Sequence, residues 1–255
     1  MTLEQILLLS FIHGVTEFLL ISSSGHLALV RALCGWRAQG HLMDVAAHIG
    51  TLGSVLVYFH KDVFSLFKGF FSLLKGRFNE NTQLLFNLII ATIPVVLMGV
   101  FFDNVVGSAF RSVTVIAWVG IIFAIILYVA DKYGHFIETV ADTNAKRALY
   151  FGLAQSVSLI NGASRSGTCI TAGRLMNYKR TDAARFAFLM SIPAITAAGT
   201  LKGYRVLKSG DFSMMNDAAM MAVFSFVFGL FAIAFMMRWL QKSTLTPFVI
   251  YRICL

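Results

Sequence analysis

The stretch His13-Gly14-Val15-Thr16-Glu17-Phe18-Leu19-Leu20-Ile21-Ser22-Ser23-Ser24-Gly25-His26 decides how this chain is read. Its polar turn, Ser22 to His26, interrupts an apolar run that otherwise reads as membrane helix. A second turn, Ser164-Arg165-Ser166-Gly167-Thr168, does the same past the middle of the chain, with Gln155 upstream as Glu17 is upstream of the first. A bilayer core tolerates irregular polar backbone only where protein buries it or where it lines a wet cavity. A carboxylate and an arginine at such depth mark a functional site.

The rest of the chain supplies the membrane context. Of its 255 residues 58% are hydrophobic and 13% charged, and the mean hydropathy is +0.76. A soluble domain carries roughly 25% charged residues. The apolar runs are long rather than alternating, so the spans are helical. Net charge is +9, with the basic residues mainly in loops between apolar runs. That pattern suits contact with anionic lipid better than binding of nucleic acid, and no nucleic-acid partner is expected. Cys34, Cys169 and Cys254 are dispersed, with no metal spacing. The start, Met1-Thr2-Leu3-Glu4, lacks a basic leader, so no cleavable signal is expected.

Four apolar stretches reach the roughly 20 residues a helix needs to cross a bilayer. They are 42–60, 84–103, 113–131 and 218–238. A fifth, 183–201, carries Pro193, which predicts a kink. Segments 3–33 and 146–176 are each two short apolar pieces around a serine-glycine turn. Both are expected to form re-entrant helical hairpins, with a single kinked span as the competing reading. Basic residues place three connections in the cytoplasm. These are 61–83 (Lys61, Lys68, Lys75, Arg77), 132–147 (Lys132, Lys146, Arg147) and 177–185 (Lys179, Arg180, Arg185). The loop 104–112, with only Arg111, is expected outside. So is 202–217, against the charge of Lys202, Arg205 and Lys208.

The first hairpin then enters from outside and the second from inside. The expected fold is an all-α integral membrane protein, an inverted-topology repeat with two re-entrant hairpins. Residues 1–131 form the first repeat and 146–255 the second. In such folds broken hairpins meet near the midplane and build one site. Gly14-Val15-Thr16-Glu17 is echoed by Gly152-Leu153-Ala154-Gln155.

His13 and Glu17 stand four apart, on one helix face. Glu17 reads as a metal ligand or general base, with a structural carboxylate bonded to the serines as the bland alternative. His26 is suited to acid-base work, to attack on phosphorus or to metal binding. Ser22, Ser23 and Ser24 either cap a helix or touch phosphate, and Ser23 is a possible nucleophile beside His26. Arg165 offers a fixed fork of donors for phosphate. Ser164, Ser166, Gly167, Thr168 and free backbone N–H groups surround it at a helix start, an anion site. Alternatively Arg165 snorkels or pairs with Glu17. Asp44 and His48 have a weaker claim to line a cavity. No soluble-enzyme phosphate loop of the GxxxxGK[ST] kind is present.

These residues resemble a known family, the bacterial undecaprenyl pyrophosphate phosphatases of the bacitracin-resistance type. The family's first motif reads approximately EGxTEFLPxSSTGH, and His13 to His26 matches it. The second, approximately PGxSRSGxT, stands here as Asn161-Gly162-Ala163-Ser164-Arg165-Ser166-Gly167-Thr168-Cys169. Asp44 to Thr51 with Tyr58-Phe59, Ala184 to Pro193, and Pro247 to Arg252 match further. The resemblance implies hydrolysis of the C55 isoprenoid diphosphate to the monophosphate, recycling the lipid carrier for peptidoglycan. It implies a multi-pass protein of the bacterial inner membrane with its site open to the periplasm, using magnesium or calcium.

The matching positions are Glu17 as metal ligand or base, Ser23 and His26 as nucleophile or acid-base groups, and Arg165 on the diphosphate. Ser22, Ser24, Ser164, Ser166, Gly167 and Thr168 complete the substrate site. Three departures stand out. His13 replaces the motif's first acidic residue, which leaves Glu17 and His13 as the expected metal ligands. Leu20 and Asn161 replace prolines. The piece after Thr244 is too short to span.

The leading expectation is therefore a membrane diphosphatase in which His26 activates Ser23 or a water. The runner-up is a flippase or a non-catalytic binder of polyprenyl phosphates. The expected partners are the lipid and the membrane, with a homodimer as a possible assembly.

Overall fold

The computed structural model describes residues 1–36, 40–105, 112–133, 137–209 and 214–255. The loop around Arg111 and the side chains of Asp103, Lys202 and Arg205 lie outside the described residues. Among the described residues the chain forms eleven α-helices and no strand, apart from one isolated bridge between Glu138 and Tyr178.

Both serine-glycine turns separate short helices. Helices α1 (Leu3–Thr16) and α2 (Ser23–Cys34) make the first hairpin; α7 (Ala145–Val157) and α8 (Arg165–Leu175) make the second. Thr2 caps α1 in a box with Gln5, and Asn144 caps α7 by accepting from the Arg147 N–H at 3.0 Å. Such caps satisfy backbone donors that the first helical turn leaves free.

Four helices are long and apolar enough to cross a membrane: α5 (Glu80–Val105), α6 (Val113–Lys132), α9 (Arg180–Ser209) and α10 (Met215–Lys242). The chain is a multi-pass membrane protein. Its lipid-facing surface is apolar, with Leu97, Ile122 and Phe231 all exposed. Two expectations are corrected here. Residues 61–83 are not simply a loop. Helix α3 (Gly40–Tyr58) turns by 85° at Phe59 into α4 (His60–Leu74). Lys61 and Lys68 mark a polar face, but Phe64, Phe67, Phe70, Phe71 and Leu74 recur at helical spacing and lie exposed. A basic amphipathic helix of this kind suits a bilayer surface. The supposed loop from 202 is helical as far as Ser209, because α9 continues about two turns further than the apolar stretch alone indicated.

The three basic connections do meet at one end. Arg185 pairs with Asp62, Arg147 with Glu138 at 2.7 Å, and Asp131 with both Arg174 and Arg180 at 2.8 Å. The Leu245 N–H also donates to Asp131. Opposite, the Met1 amino group lies 2.6 Å from Asp217 at the start of α10. The first hairpin thus enters beside the start of α10, and the second enters from the basic end. Each leans on a long helix from elsewhere in the chain: α1 on α10, and α7 on α5.

Glycines permit both approaches. A Cβ on Gly152 would stand 2.5 Å from the Ala91 carbonyl oxygen. One on Gly14 would stand 3.0 Å from the backbone of Gly229. Small residues at such crossings let membrane helices pack backbone to backbone. Helix α11 (Thr246–Cys254) ends the chain against α6.

Candidate active site

Each hairpin tip is built the same way. Ser22 precedes α2 at φ +62°, and Ser164 precedes α8 at φ +67°. Left-handed backbone is rare for a residue with a side chain and persists where the surroundings enforce it. In the first turn Ser22 Oγ is 3.2 Å from Ser24 Oγ; in the second Ser164 Oγ is 3.4 Å from Ser166 Oγ. Ser164 Oγ also accepts from the Gly167 N–H at 3.3 Å. The two helix starts therefore present hydroxyls and N–H groups in matching arrays, where anions are favoured. Leu20 has φ +66°, a value closed to the proline of the resembled motif.

The tips meet. Arg165 Nη2 donates to Glu17 Oε1 at 3.0 Å, and Ser23 Oγ donates to Glu17 Oε2 at 2.8 Å. Ser166 Oγ donates to the Glu17 carbonyl at 3.2 Å. The Glu17 and Arg165 side chains are only 10% and 17% exposed. The pairing of Arg165 with Glu17, its alternative role, coexists with a place in the cavity wall. Arg165 Nη1 has no hydrogen-bond partner among the described residues. One nitrogen of the fork thus holds the carboxylate while another remains for an anion.

A cavity of about 160 Å³ lies at this junction. Its walls include Glu17, Ser22, Ser23, Ser24, Ser164 and Arg165. Beside it, an apolar crevice of about 130 Å³ runs between α2, α6 and α11. Ser22 and Gly162 belong to both walls. A charged head and an apolar tail of one molecule are thereby accommodated side by side.

His26 is placed otherwise than expected. Its Nδ1 is 2.9 Å from the Ser22 carbonyl oxygen, which only accepts, so Nδ1 carries a proton. In the neutral ring Nε2 then accepts, and the Tyr251 hydroxyl donates to it at 2.7 Å. The bond that Ser23 makes runs to Glu17, so the group poised to take its proton is the carboxylate. Thr168 Oγ1 donates to the Arg165 carbonyl and Gly167 sits in the first turn of α8, so both support the turn.

His13 is buried on α1 one turn before Glu17, and its ring meets that of His48 on α3 edge-on, with centroids 4.6 Å apart. His13, Glu17 and His48 offer donor atoms that all lie within 4.8 Å of one another.

Three residues stand out: motif reading left Tyr251 and Arg252 without a role and gave His48 only a weaker claim to line a cavity. Tyr251 holds His26. Arg252, 4% exposed, donates through Nη2 to the carbonyls of Gly162 and Ala163, which fixes the second tip. His48 joins His13 and Glu17. The signals were the match over Pro247 to Arg252 and the polar run from Asp44 to Thr51.

A model of the family described as bacitracin resistance protein BacA matches residues 6–255. The undecaprenyl-diphosphatase of Ruegeria pomeroyi is 44% identical over 257 residues, covering 100% of this chain and 96% of the relative. That of a Jannaschia species is 45% identical over 257 residues, with the same coverage of 100% and 96%. That of Saccharophagus degradans is 40% identical over 247 residues, covering 97% of this chain and 93% of the relative.

Proposed function

We propose that this chain, which belongs to the bacitracin resistance protein BacA family, is an undecaprenyl-diphosphatase. It removes the terminal phosphate of a membrane-held C55 isoprenoid diphosphate and leaves the monophosphate. The meeting of Arg165, Glu17 and Ser23 in one cavity carries the reading. Full-length relatives with that activity in their names support it. The flippase alternative has no comparable support.

The chemistry follows from the atoms. Phosphoryl transfer requires charge neutralisation and an aligned nucleophile more than covalent assistance. Arg165 Nη1 and the hydroxyls of Ser24 and Ser164 receive the terminal phosphate, while Ser166 holds the Glu17 carbonyl. Ser23 Oγ attacks its phosphorus while its proton passes to Glu17 Oε2. The bond to the bridging oxygen breaks, and the lipid monophosphate departs with that oxygen. Water then attacks the phosphoserine, the proton held by Glu17 passes to Ser23 Oγ as that oxygen leaves, and the water's protons depart with the inorganic phosphate, which returns Glu17 to its carboxylate form. The Tyr251–His26 bond keeps α2 in register with α11, so His26 positions Ser23 rather than deprotonating it.

A divalent cation is part of the proposal, near Glu17 and His13. Magnesium and calcium, the expectation from the resemblance, take oxygen ligands. Here one carboxylate stands beside two imidazoles, a donor set that does not fit them, and no step above passes through the ion. The proposal also includes the inner membrane, with the basic end in the cytoplasm, the cavity opening to the periplasm, and assembly as a homodimer.

The test is phosphate release from purified protein in detergent, given C55 diphosphate, beside Glu17→Gln, Ser23→Ala and Arg165→Ala. Release by the parent chain that collapses in all three variants is the expected result. Absence of release from a folded parent chain that binds the lipid rejects the reading.

A further inference from the structure

We infer that His13, Glu17 and His48 form a binding site for a first-row transition metal of the zinc class. The inference deepens the proposed function and rests on it only for the metal's use, not for its binding.

Three observations carry it. First, the donors converge from two helices. His13 lies in the last turn of α1 and Glu17 caps that helix one turn on, while His48 comes from α3, with all three donor atoms within 4.8 Å of one another. Donors at 2.0–2.2 Å from a tetrahedral metal stand about 3.4 Å apart, so small side-chain rotations close the set. Second, His48 is held as a ligand. Its Nδ1 is 2.7 Å from the Asp44 carbonyl oxygen. A carbonyl only accepts, so Nδ1 carries the proton and the Nε2 lone pair points away from Asp44. Metal-bound histidines are commonly oriented by such a second hydrogen bond. Third, the helices are locked where the ligands sit. A Cβ on Gly50, two residues after His48, would come within 2.2 Å of the Ala222 carbonyl oxygen. Gly14, next to His13, also packs closely on α10, where a Cβ would stand 3.0 Å from the Gly229 nitrogen and the Ser225 carbonyl oxygen. Both ligand-bearing helices are thus fixed against a common support.

The donor set decides the metal. Imidazole suits zinc, iron, nickel and copper, whereas magnesium and calcium require oxygen. Two histidines and one carboxylate with further positions open is the donor set of catalytic zinc sites. The site adjoins the phosphate cavity through Glu17, which lines it.

The experiment uses tag-free, full-length protein in detergent with Cys34→Ser and Cys254→Ser, stripped by chelator. Bound metal is measured by elemental analysis after dialysis against zinc chloride with and without excess magnesium chloride. Visible absorption is followed during titration with cobalt chloride. One zinc per chain, not displaced by a 100-fold excess of magnesium, is expected on the donor preferences above. The cobalt protein should show ligand-field bands that His48→Ala and His13→Ala abolish. Each of these variants should weaken zinc binding by roughly 10-fold or more. His48→Asp, which replaces nitrogen by oxygen, should shift preference towards magnesium, and it keeps the inference testable if an alanine variant fails to fold. Equal competition by magnesium overturns the inference. So does zinc binding by folded His48→Ala that equals the parent's.

Phosphate release is scored separately. Release with magnesium and no zinc binding removes the metal assignment but keeps the diphosphatase. Zinc binding without release does the reverse.

Discussion

Arg165 Nη2 lies 3.0 Å from Glu17 Oε1 although 148 residues separate the two in sequence. That one contact joins the tips of both hairpins and places a guanidinium and a carboxylate on the same cavity wall. A phosphate entering the cavity meets an arginine already oriented by its partner.

The first prediction concerns that fork. Arg165→Lys keeps a positive charge but loses the planar pair of donors. Removing a donor aimed at developing charge costs roughly 10²–10³-fold in turnover. Arg165→Lys should therefore fall by that order in kcat for phosphate release. A lysine variant with near-parental kcat would show that point charge alone suffices.

Ser23 and Glu17 should behave as one unit. Nucleophile and base that act together are strongly non-additive when removed. Ser23→Ala, Glu17→Gln and the double variant should reach similar residual rates. A double variant whose loss is the product of the single losses would separate their roles.

Tyr251→Phe deletes the hydroxyl that donates to His26 Nε2. The net value of such a bond is about 1 kcal/mol. A modest drop in thermal midpoint and a partial loss of kcat are expected, with KM less affected. A loss as large as that of Ser23→Ala would instead make Tyr251 part of the reacting group.

Gly50→Ala tests the packing on α10. Its new methyl would meet the Ala222 carbonyl oxygen and the Phe226 backbone nitrogen, neither of which can rotate away. Overpacking of this kind costs about 1–3 kcal/mol. Thermal unfolding in detergent should register it, and a midpoint unchanged from the parent would show that α3 shifts freely.

Much of this architecture was legible because polar residues are conspicuous in apolar sequence. Ser22 to Gly25 and Ser164 to Gly167 announced two broken hairpins, and Glu17 and Arg165 announced their meeting point. Helix α4 is hard to see in the sequence because Lys61 and Lys68 read as loop charge, while the phenylalanines between them keep helical spacing. The end of α9 was missed because Lys202, Arg205 and Lys208 follow an apolar stretch without a strong stop signal. Proximity in sequence suggested that His26 serves Ser23, but helical geometry turns its ring to Tyr251, 225 residues away. His48 and Arg252 share that lesson, since their partners are set by helix crossings that spacing along the chain does not encode.

The contact between Met1 and Asp217 also carries a consequence in time. These two residues are 216 positions apart. At ribosomal rates of 5–20 residues per second, the amino terminus waits roughly 10–40 s for the helix it leans on. For most of that interval Glu17 lacks Arg165, and throughout it α1 lacks α10. A nascent chain interrupted before its second half holds only scattered pieces of the site, so chemistry on the lipid begins only once the whole chain has been delivered.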